Sequence, residues 1–563
     1  MSLFTLIAFA FLCAALYYIC PLRLRWILLL LVSYGYYAYC GLSALPYILT
    51  TTLSTWAGAL LIGRVGEQSK AYLREHKAEL DAAQKKAHKA KARSRQRALF
   101  FAVLLLNFGI LAVLKYMSPL LSWGASLAGK TAPALNLLLP LGISFYTFQS
   151  MGYLIDVYNG KYAPEKNPAR FALFVSFFPQ LIQGPIARFD QLPHQLYEPH
   201  RFDLGNIERG ALLILWGFFK KKVIADRALP LVEQVFGNQS QYGGAVIVVG
   251  VLFYSLQQYT DFSGGIDMVT GIAQLFGIEL APNFKRPYFS VSLGDFWRRW
   301  HISLGGWMRD YVFYPFALTK PMARMSKSLK KHIHPQVARA LPAALGNVLV
   351  FLLVGIWHGA QMNYVLWGLY NGLILAFTSL VEPAYKKMNE RLPRLTASKG
   401  FHVFRILRTF LVVNIGWYFD RCVRASDAFQ MLHKTLFSFD SWQLFDGTLD
   451  NLGLAAKDYR NADSLCCFPA SGARRQDSGR TVLHAARPAL GHPLCVHVLR
   501  SGDVRRLQCR QRRLHVRGIL IGRRHFEKKN YPPVRLSAGV RLADYLRQHL
   551  SHQDRHLCPP DAG

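Results

Sequence analysis

Long apolar runs without charge constrain this chain more than any other feature of its sequence. Residues 2–20, 26–42 and 44–63 follow one another at the start and contain no charged side chain. Each approaches the roughly 20 residues that a helix needs to cross about 30 Å of hydrocarbon. The first run has no basic stretch before it and two more follow at once, so we interpret it as a retained helix rather than a signal peptide. The sequence therefore predicts an all-α, polytopic membrane protein.

Further apolar segments extend this pattern through the chain. Several are interrupted by Pro, Gly or polar residues, which is typical of segments that line a cavity, because broken backbone at membrane depth needs protein or water to satisfy it. In total we expect about 10 to 11 membrane segments. The further candidates are residues 98–114, 134–155, 210–219, 243–259, 265–280, 344–357, 364–381 and 410–419.

The formal net charge of +35 is explained by topology. Residues 64–97 are a basic loop between predicted spans, and residues 320–339 are a second one. Lys and Arg near helix ends favour the cytoplasmic side. If the N-terminus is outside, residues 23–25 and 64–97 both lie on the cytoplasmic side. We therefore expect the two basic loops, 64–97 and 320–339, to face the cytoplasm near anionic headgroups of the lipid bilayer. No groove-reading motif accompanies the charge, so we expect no nucleic-acid partner.

The end of the chain departs from this pattern. Residues 461–563 hold 17 Arg but 2 Lys, with 8 of the 18 His and 5 of the 9 Cys. They contain no apolar run long enough to span a membrane. Their cysteines form no CxxC pair, so we expect no zinc site in the tail. We hypothesise that a frameshift near residues 455–465 replaced one or two terminal spans. The alternative is a genuine basic tail on the cytoplasmic surface.

One histidine stands out among the apolar segments. Residues 345–377 contain no Lys, Arg, Asp or Glu and a single histidine, His358. An ionisable residue inside a membrane segment is by default a functional candidate. Gly355 and Gly359 leave room beside it for a ligand or for another backbone. The alternative is a structural histidine that bridges two helices.

The aromatic and basic segment 283–316 is a second candidate site. One interpretation is an amphipathic segment at the membrane interface. It explains Trp300 and most of the arginines, since Trp and Arg favour the headgroup level. That interpretation accounts less well for His301, which is followed by the small-residue sequence ISLGGW. Arg309 and Asp310 lie further along the same segment.

Two other stretches carry polar residues in apolar surroundings. Asp261 and Asp267 lie in membrane-length sequence, and we expect them to pair with arginines of the 283–316 segment. Residues 176–192 contain Pro179, Gly184 and Pro185, which break any regular helix. We interpret this stretch as a re-entrant element, with Gln183 and Arg188 available for polar contacts.

Five motifs resemble the membrane-bound O-acyltransferase (MBOAT) family, in the bacterial branch that holds alginate O-acetyltransferase and the D-alanyl transferase of teichoic acids. They occur in family order, and the similarity runs from about residue 1 to about residue 455. We therefore predict an acyltransferase domain over residues 1–455 and an atypical tail over residues 456–563, where the family's C-terminal spans are missing. The motifs are FFPQLIQGPIARF, YTDFSGGIDMVTGIAQLFGI, PNFKRPY, FWRRWHISLGGWMRDYVFYP and GIWHGAQMNYVLWGLYNG.

The resemblance implies a ring-like helical bundle with a central funnel or tunnel. It identifies His358 as the catalytic residue and His301 as the second family histidine. A neutral imidazole can act as general base toward a hydroxyl. The sequence contains no Gly-x-Ser-x-Gly motif, which argues against a serine-hydrolase mechanism. The residues expected to support the tunnel or the structure are Asp261, Trp300, Arg309, Asp310, Gln183 and Trp357.

The resemblance also implies the partners of the reaction. The donor is expected on the cytoplasmic side of a bacterial cytoplasmic membrane, as acetyl-coenzyme A or a carrier-protein thioester, without a permanently bound cofactor or metal. The acceptor is expected outside, either a polysaccharide or a secreted SGNH-type acetyltransferase that passes the group on. The alternatives are D-alanyl transfer to teichoic acids and a non-catalytic exporter of activated acyl units.

Overall fold

The chain is described by a computed structural model that covers residues 3–131, 137 and 139–453. These residues form helices and contain no β-strand. In chain order, the α-helices are α1 Leu3–Ile19, α2 Arg25–Cys40, α3 Leu45–Glu75, α4 Ala82–Leu127, α5 Ile143–Tyr158, α6 Pro168–Ser176, α7 Phe178–Gln183, α8 Pro193–Tyr197, α9 Leu204–Phe218, α10 Asp226–Gly237, α11 Gly244–Leu275, α12 Leu293–Trp297, α13 Ile302–Met308, α14 Tyr314–Ala317, α15 Lys320–Leu329, α16 Pro335–His358, α17 Met362–Arg391, α18 Pro393–Thr396, α19 Lys399–Arg421, α20 Ala425–Phe437 and α21 Thr448–Asn451.

Four helices of the described part are long and apolar enough to cross a membrane. In α4 only 17% of the apolar window is buried inside the protein, which leaves its outer face available to lipid. The predicted all-helical membrane fold is confirmed. Several predicted spans are shorter helices, such as the 17 residues of α1. The four candidates are Leu42–Glu75, Ala82–Leu127, Pro335–His358 and Met362–Arg391.

The two spans predicted at 243–259 and 265–280 are one continuous helix, α11. The polar residues between them do not break it because lysines of the preceding π-helical turn, Phe219–Ala225, pair with its side chains. Lys221 contacts Asp261, and Lys220 donates to Ser263 at 2.9 Å. With its polar groups satisfied, the stretch stays helical.

Glycine pairs bring α9 and α11 into backbone contact. A Cβ added to Gly217 would lie 2.4 Å from the carbonyl oxygen of Gly264, and one added to Gly210 would lie 2.8 Å from that of Gly271. Small residues at such crossings allow the close approach that van der Waals packing between membrane helices requires. The crossing holds the lysine turn against α11.

The α16–α17 hairpin is packed in the same way. An added Cβ on Gly355 would lie 2.3 Å from the carbonyl oxygen of Tyr364, and one on Gly368 would lie 2.4 Å from that of Phe351. The space predicted beside His358 is therefore filled on the Gly355 side by the backbone of α17. This contact fixes where α16 ends.

The break predicted within residues 176–192 is present. The chain turns between α6 and α7 at Phe177 and leaves the helix again at Gly184, whose backbone is extended. The backbone N–H of Ile186 donates to the hydroxyl of Ser303 at 3.0 Å. The irregular stretch is thereby attached to α13.

The two basic segments are mostly helical. In residues 64–97, α3 continues to Glu75 and α4 begins after Asp81, whose side chain and that of Gln84 form a reciprocal capping box. Residues 320–339 form α15 and the first turn of α16. The predicted tail, residues 456–563, lies outside the described residues.

Candidate active site

His358 is the last residue of α16, at the turn into α17. The helix ends at Gly359, where an added Cβ would lie 2.5 Å from the ring of Tyr364. Three aromatic rings pack around the imidazole. The ring centroids of Trp357 and Trp367 are 5.0 Å and 5.1 Å from it at steep angles, and Tyr364 stacks at 6.0 Å. These contacts orient the His358 ring.

The His358 side chain has a high exposed fraction, although many protein atoms surround the residue. A ligand can therefore reach it. A cleft of about 420 Å³ lies beside it, between α4 and the α16–α17 turn. The cleft is almost entirely apolar and is lined by Ala112, Val113, Tyr116, Met117, Leu120, Ile356, Gly359, Ala360 and Val365.

His301 is held by Asn283. The Asn283 side-chain oxygen accepts hydrogen bonds from the backbone N–H and the hydroxyl of Ser303, both at 2.9 Å. Nδ1 of His301 lies 3.3 Å from the amide nitrogen of Asn283 and 3.4 Å from its oxygen. Because that oxygen already accepts two hydrogen bonds from Ser303, we assign the amide nitrogen as the donor to Nδ1, which leaves the proton of the neutral ring on Nε2.

The remaining nitrogen of His301 has no partner. Its Nε2 is buried without a hydrogen bond in the part of the chain that is described, and the side chain is 6% exposed. The backbone of His301 is left-handed, with φ of 46°, a strained conformation that is concentrated at functional sites. His301 lies outside the four spanning helices, and burial together with the charge of a protonated His358 lowers its pKa to about 3. The ring is thus neutral at physiological pH and presents an unsatisfied N–H donor.

Trp357 links the two histidines. Its ring centroid lies 6.4 Å from that of His301 and 5.0 Å from that of His358. The indole Nε1 is buried and also lacks a partner among the described residues. The structure therefore brings His358, His301 and Trp357 together.

Trp300 packs in an aromatic cluster next to His301. It is buried, and its ring packs against those of Phe284, Phe296 and Trp417 with centroids 5.1 Å, 5.5 Å and 5.7 Å away. This aromatic cluster fixes the backbone next to His301, which is a structural role.

Asp261 lies on α11, and Gln183, the last residue of α7, packs against the same helix. Asp261 pairs with Lys221, and Asp267 pairs with Lys220 at 2.5 Å. The expectation that these aspartates pair with arginines of the 283–316 segment is wrong, because the lysines of the π-helical turn reach them first across the α9–α11 crossing. Gln183 packs on the backbone of α11, its side-chain oxygen 1.9 Å from where a Cβ on Gly265 would lie.

Arg309 and Asp310 form a separate polar cluster. Arg188 donates to Asp310 at 2.7 Å, and Arg309 contacts the same carboxylate at 2.9 Å. The guanidinium of Arg188 also lies 4.5 Å from the centre of the Tyr311 ring. In the portion of the chain described, no hydrogen bond or ring contact joins Arg309 or Asp310 to either histidine, so they do not belong to the histidine site.

Three residues near the histidines were missed by sequence reasoning, Asn283 among them. Asp420 is buried on α19, accepts a hydrogen bond from the Tyr254 hydroxyl at 2.6 Å, and its charge acts on His358. Lys115 on α4 places its ammonium 5.2 Å from the centre of the Trp357 ring. Lys115 is the only charged residue between positions 98 and 129, a signal of the kind that singled out His358.

Across residues 3–131, 137 and 139–453, no group of three or more His, Cys, Asp or Glu side chains could hold a metal ion. The chemistry available to this site is that of imidazole, indole N–H and ammonium groups around an exposed pocket.

Comparison with known proteins identifies the family. Residues 165–419, which contain both histidines, match the membrane-bound O-acyltransferase family, MBOAT. A probable alginate O-acetylase of Azotobacter vinelandii is 33% identical over 438 residues, which cover 77% of this chain and 76% of the relative. The peptidoglycan O-acetyltransferase of Helicobacter pylori is 32% identical over 373 residues, 62% of this chain and 66% of the relative.

A third relative is named for a different acyl group. The teichoic acid D-alanyltransferase of Bacillus subtilis is 30% identical over 300 residues, 51% of this chain and 69% of the relative. Together with the apolar helices, these similarities show that the chain is an integral membrane acyltransferase and belongs to the MBOAT family.

Proposed function

We propose that this acyltransferase uses a cytoplasmic acetyl thioester, acetyl-coenzyme A or an acetylated carrier protein, to O-acetylate an exported or cell-envelope polysaccharide at the bacterial cytoplasmic membrane. The choice of acetyl is supported by relatives whose names specify O-acetylation. The alginate-type relative aligns with 77% of the chain, whereas the D-alanyltransferase aligns with 51%.

The observation that carries the proposal is the position of His358. Its imidazole is accessible at the end of a spanning helix and is oriented by aromatic rings on either side in sequence, Trp357 and Tyr364. A structural histidine bridging two helices would be expected to bury its ring nitrogens in hydrogen bonds. An accessible ring with a fixed orientation suits proton transfer instead.

In the proposed reaction His358 is the general base. The acceptor hydroxyl gives its proton to a ring nitrogen as its oxygen bonds to the acyl carbon. The carbon–sulfur bond then breaks, and the leaving sulfur takes the proton from the imidazolium. General base catalysis of this kind typically contributes about 10² to 10⁴ in rate.

His301 has a different role in this proposal. Its Nε2–H donates a hydrogen bond to the acyl carbonyl oxygen, which polarises the carbonyl. A buried donor without a partner costs about 1–3 kcal/mol, and a carbonyl oxygen at that position removes this cost. Because Nε2 is closed to water in the structure, the carbonyl reaches it only when a neighbouring ring such as Trp357 shifts.

The depth of the site supports acceptor access from outside. An α-helix rises about 1.5 Å per residue, so His358 lies about 35 Å along α16 from Pro335. The basic residues of 320–339 favour the cytoplasmic side for that first turn. On this topology His358 faces the outer half of the membrane, where an exported hydroxyl meets the acyl group.

The acceptor is either the polysaccharide itself or a secreted SGNH-type acetyltransferase that relays the group. Both present a hydroxyl, so the same step at His358 serves either. The basic segments 64–97 and 320–339 attract the phosphates of coenzyme A or an acidic carrier electrostatically.

The test is acyl transfer by the full chain in lipid nanodiscs. Acetyl-coenzyme A and a D-alanyl carrier thioester are supplied in turn with an acidic polysaccharide, and esters on the polymer are measured by mass spectrometry. We expect acetyl esters with the wild type and none with His358→Ala, which should elute and unfold like the wild type. Esters formed only from the D-alanyl donor would mean that the transferred group is D-alanyl rather than acetyl. Export without ester formation, or full activity of His358→Ala, would contradict the proposal.

A further inference from the structure

Lys115 is a charged residue in the otherwise uncharged, membrane-length part of α4. It lies on α4, within one of the four spanning helices, and residues 98–114 and 116–129 on either side carry no charge. A lysine inside a membrane segment is costly and is by default a functional candidate. Nothing in the two-histidine mechanism uses it.

The ammonium of Lys115 has no anionic partner among the residues that the structure describes. Among the described residues it makes no ion pair and no hydrogen bond, and its contacts are with aromatic rings. Its Nζ lies 5.2 Å from the centre of the Trp357 ring and 5.9 Å from that of Tyr116. A cation over an aromatic face is stabilised but not neutralised. The charge therefore remains available to a ligand.

The packing of α4 holds this charge beside the catalytic histidine. The Tyr116 hydroxyl donates to the carbonyl oxygen of Ile356 at 2.7 Å, which ties α4 to the last turn of α16. Trp357, under the ammonium, is next to His358, with ring centroids 5.0 Å apart. Lys115, Trp357 and His358 thus form one contiguous group at the edge of the apolar cleft.

The ordinary alternative is a lysine that reaches the outer headgroups. Lys115 is 18 residues beyond Arg97, about 27 Å along the helix, so it lies near the outer interface if Arg97 is cytoplasmic. A snorkelling side chain extends along the helix toward water. The Lys115 side chain instead lies over the indole of Trp357, which faces the active site. The two alternatives differ in how removal of the Lys115 charge affects catalysis.

The proposed reaction has a need that the histidines alone do not meet. When the hydroxyl oxygen attacks, the carbonyl π electrons move onto oxygen and create a negative charge. The neutral His301 offers a hydrogen bond but no positive charge. Fixed positive charge aimed at such an oxyanion is usually a large contribution to catalysis.

We propose that Lys115 is a third catalytic group, whose ammonium stabilises the oxyanion formed on the acyl carbon of the thioester. The inference rests on the proposed acetyl transfer. As the C–O bond forms, the hydroxyl proton goes to His358 and the new oxyanion lies against Lys115. When the oxyanion collapses, the carbonyl re-forms, the C–S bond breaks, and the thiolate leaves with the proton of His358. Lys115 neither gains nor loses a proton.

The test compares Lys115→Met and Lys115→Arg with the wild type in nanodiscs, using acetyl-coenzyme A and fluoroacetyl-coenzyme A. The control is Lys130→Met, which removes one charge from the exposed residue just beyond α4. Removing one oxyanion donor typically lowers kcat about 10²- to 10³-fold. We expect such a loss of kcat for Lys115→Met with the KM for acetyl-coenzyme A changed less than about twofold, partial retention by Lys115→Arg, and no effect of Lys130→Met.

The ratio of the two donors separates catalysis from folding. Fluorine withdraws electrons and stabilises the oxyanion by itself, so fluoroacetyl transfer should lose less in Lys115→Met, and the fluoroacetyl to acetyl ratio should rise about tenfold. That ratio does not depend on how much protein is folded. An unchanged ratio, an unchanged kcat, or a rise in KM alone would overturn the role of Lys115. Absence of transfer by the wild type would instead contradict the proposed function.

Discussion

The amide nitrogen of Asn283 lies 3.3 Å from Nδ1 of His301, and this contact determines which His301 nitrogen is left to donate. The amide oxygen is already occupied by two hydrogen bonds from Ser303, so Asn283 cannot turn around without losing both. The orientation of His301 is therefore fixed by a residue 18 positions earlier in the chain.

Asn283→Ala should impair both stability and transfer. The substitution leaves buried polar groups of His301 and Ser303 unpaired, which costs about 1–3 kcal/mol. We also expect acetyl transfer to fall at least about tenfold, because 1.4 kcal/mol of lost orientation is a factor of ten in rate. Thermal unfolding in detergent and ester formation measure the two effects. The matched control is Asn238→Ala, whose exposed amide bonds only the Gln234 carbonyl; equal effects of the two substitutions would contradict the role of Asn283.

His301 should make the fold sensitive to acid. Its pKa is about 3 in the folded protein and 6.5 in its ordinary range, since burial opposes the charged ring. Between these values the unfolded chain binds a proton that the folded chain does not. The free energy of unfolding should therefore fall by about 1.4 kcal/mol per pH unit as the pH drops below about 6.5, until about pH 3.

His301→Gln should remove that slope, because the amide does not titrate. The variant keeps an N–H near the position of Nε2, so we expect it to retain more transfer activity than His301→Ala. Chemical unfolding at pH 7, 6, 5 and 4 measures the slope. If the wild type and His301→Gln lose stability in parallel, the acid sensitivity comes from another group.

The Lys220–Asp267 pair should be more important to stability than its exposed neighbour. Lys220 is buried, its side chain 10% exposed and that of Asp267 26%. Asp267→Asn leaves the buried ammonium of Lys220 with the Ser263 hydroxyl as its remaining partner. Breaking such a buried ion pair costs about 3–5 kcal/mol. The double variant Lys220→Met/Asp267→Asn should recover most of the loss.

The control for this pair is Asp226→Asn, which breaks the more exposed pair with Lys222 and a 4.0 Å contact with Lys221, and should cost no more than about 1 kcal/mol. Thermal unfolding in detergent compares the three variants. Similar unfolding temperatures for Asp267→Asn and Asp226→Asn would show that the buried pair does not stabilise the α9–α11 crossing.

Gly355→Ala should disturb the hairpin that positions His358. The added Cβ would lie 2.3 Å from a backbone oxygen of α17, so the two helices must separate. We expect a loss of about 1–3 kcal/mol and lower transfer activity. Gly124→Ala is the control, because nothing lies within 4 Å of that position on α4. It should stabilise its helix by up to about 1 kcal/mol, and a similar gain for Gly355→Ala would contradict the close approach.

Sequence patterns singled out the two histidines, but not the residues that surround them. His358 was predictable because a single histidine in a long uncharged segment needs a reason, and the small residues beside it marked close packing. The same argument applied to Lys115 would have identified it, but the predicted span ended at residue 114, one position before it. Only the fold could show that both side chains meet at Trp357.

The partners of the polar residues were not predictable in the same way. Asp261 was expected to pair with arginines of the 283–316 segment, the arginine-rich stretch that follows it in the sequence. The glycine contacts between α9 and α11 bring Lys221 closer, and nothing local in the sequence shows which helices cross. Asn283 was missed because a single asparagine in a polar turn has many possible roles until its neighbours are known.

The most direct measurement of the central claim is the rate of acetyl transfer by His358→Gln. Glutamine keeps a polar side chain of similar size but cannot accept and return a proton at neutral pH. We expect kcat to fall about 10²- to 10⁴-fold while acetyl-coenzyme A binds with unchanged affinity, and we expect His433→Gln, at an exposed position on α20, to behave as the wild type. Transfer by His358→Gln at the wild-type rate would show that the exposed imidazole is not the base.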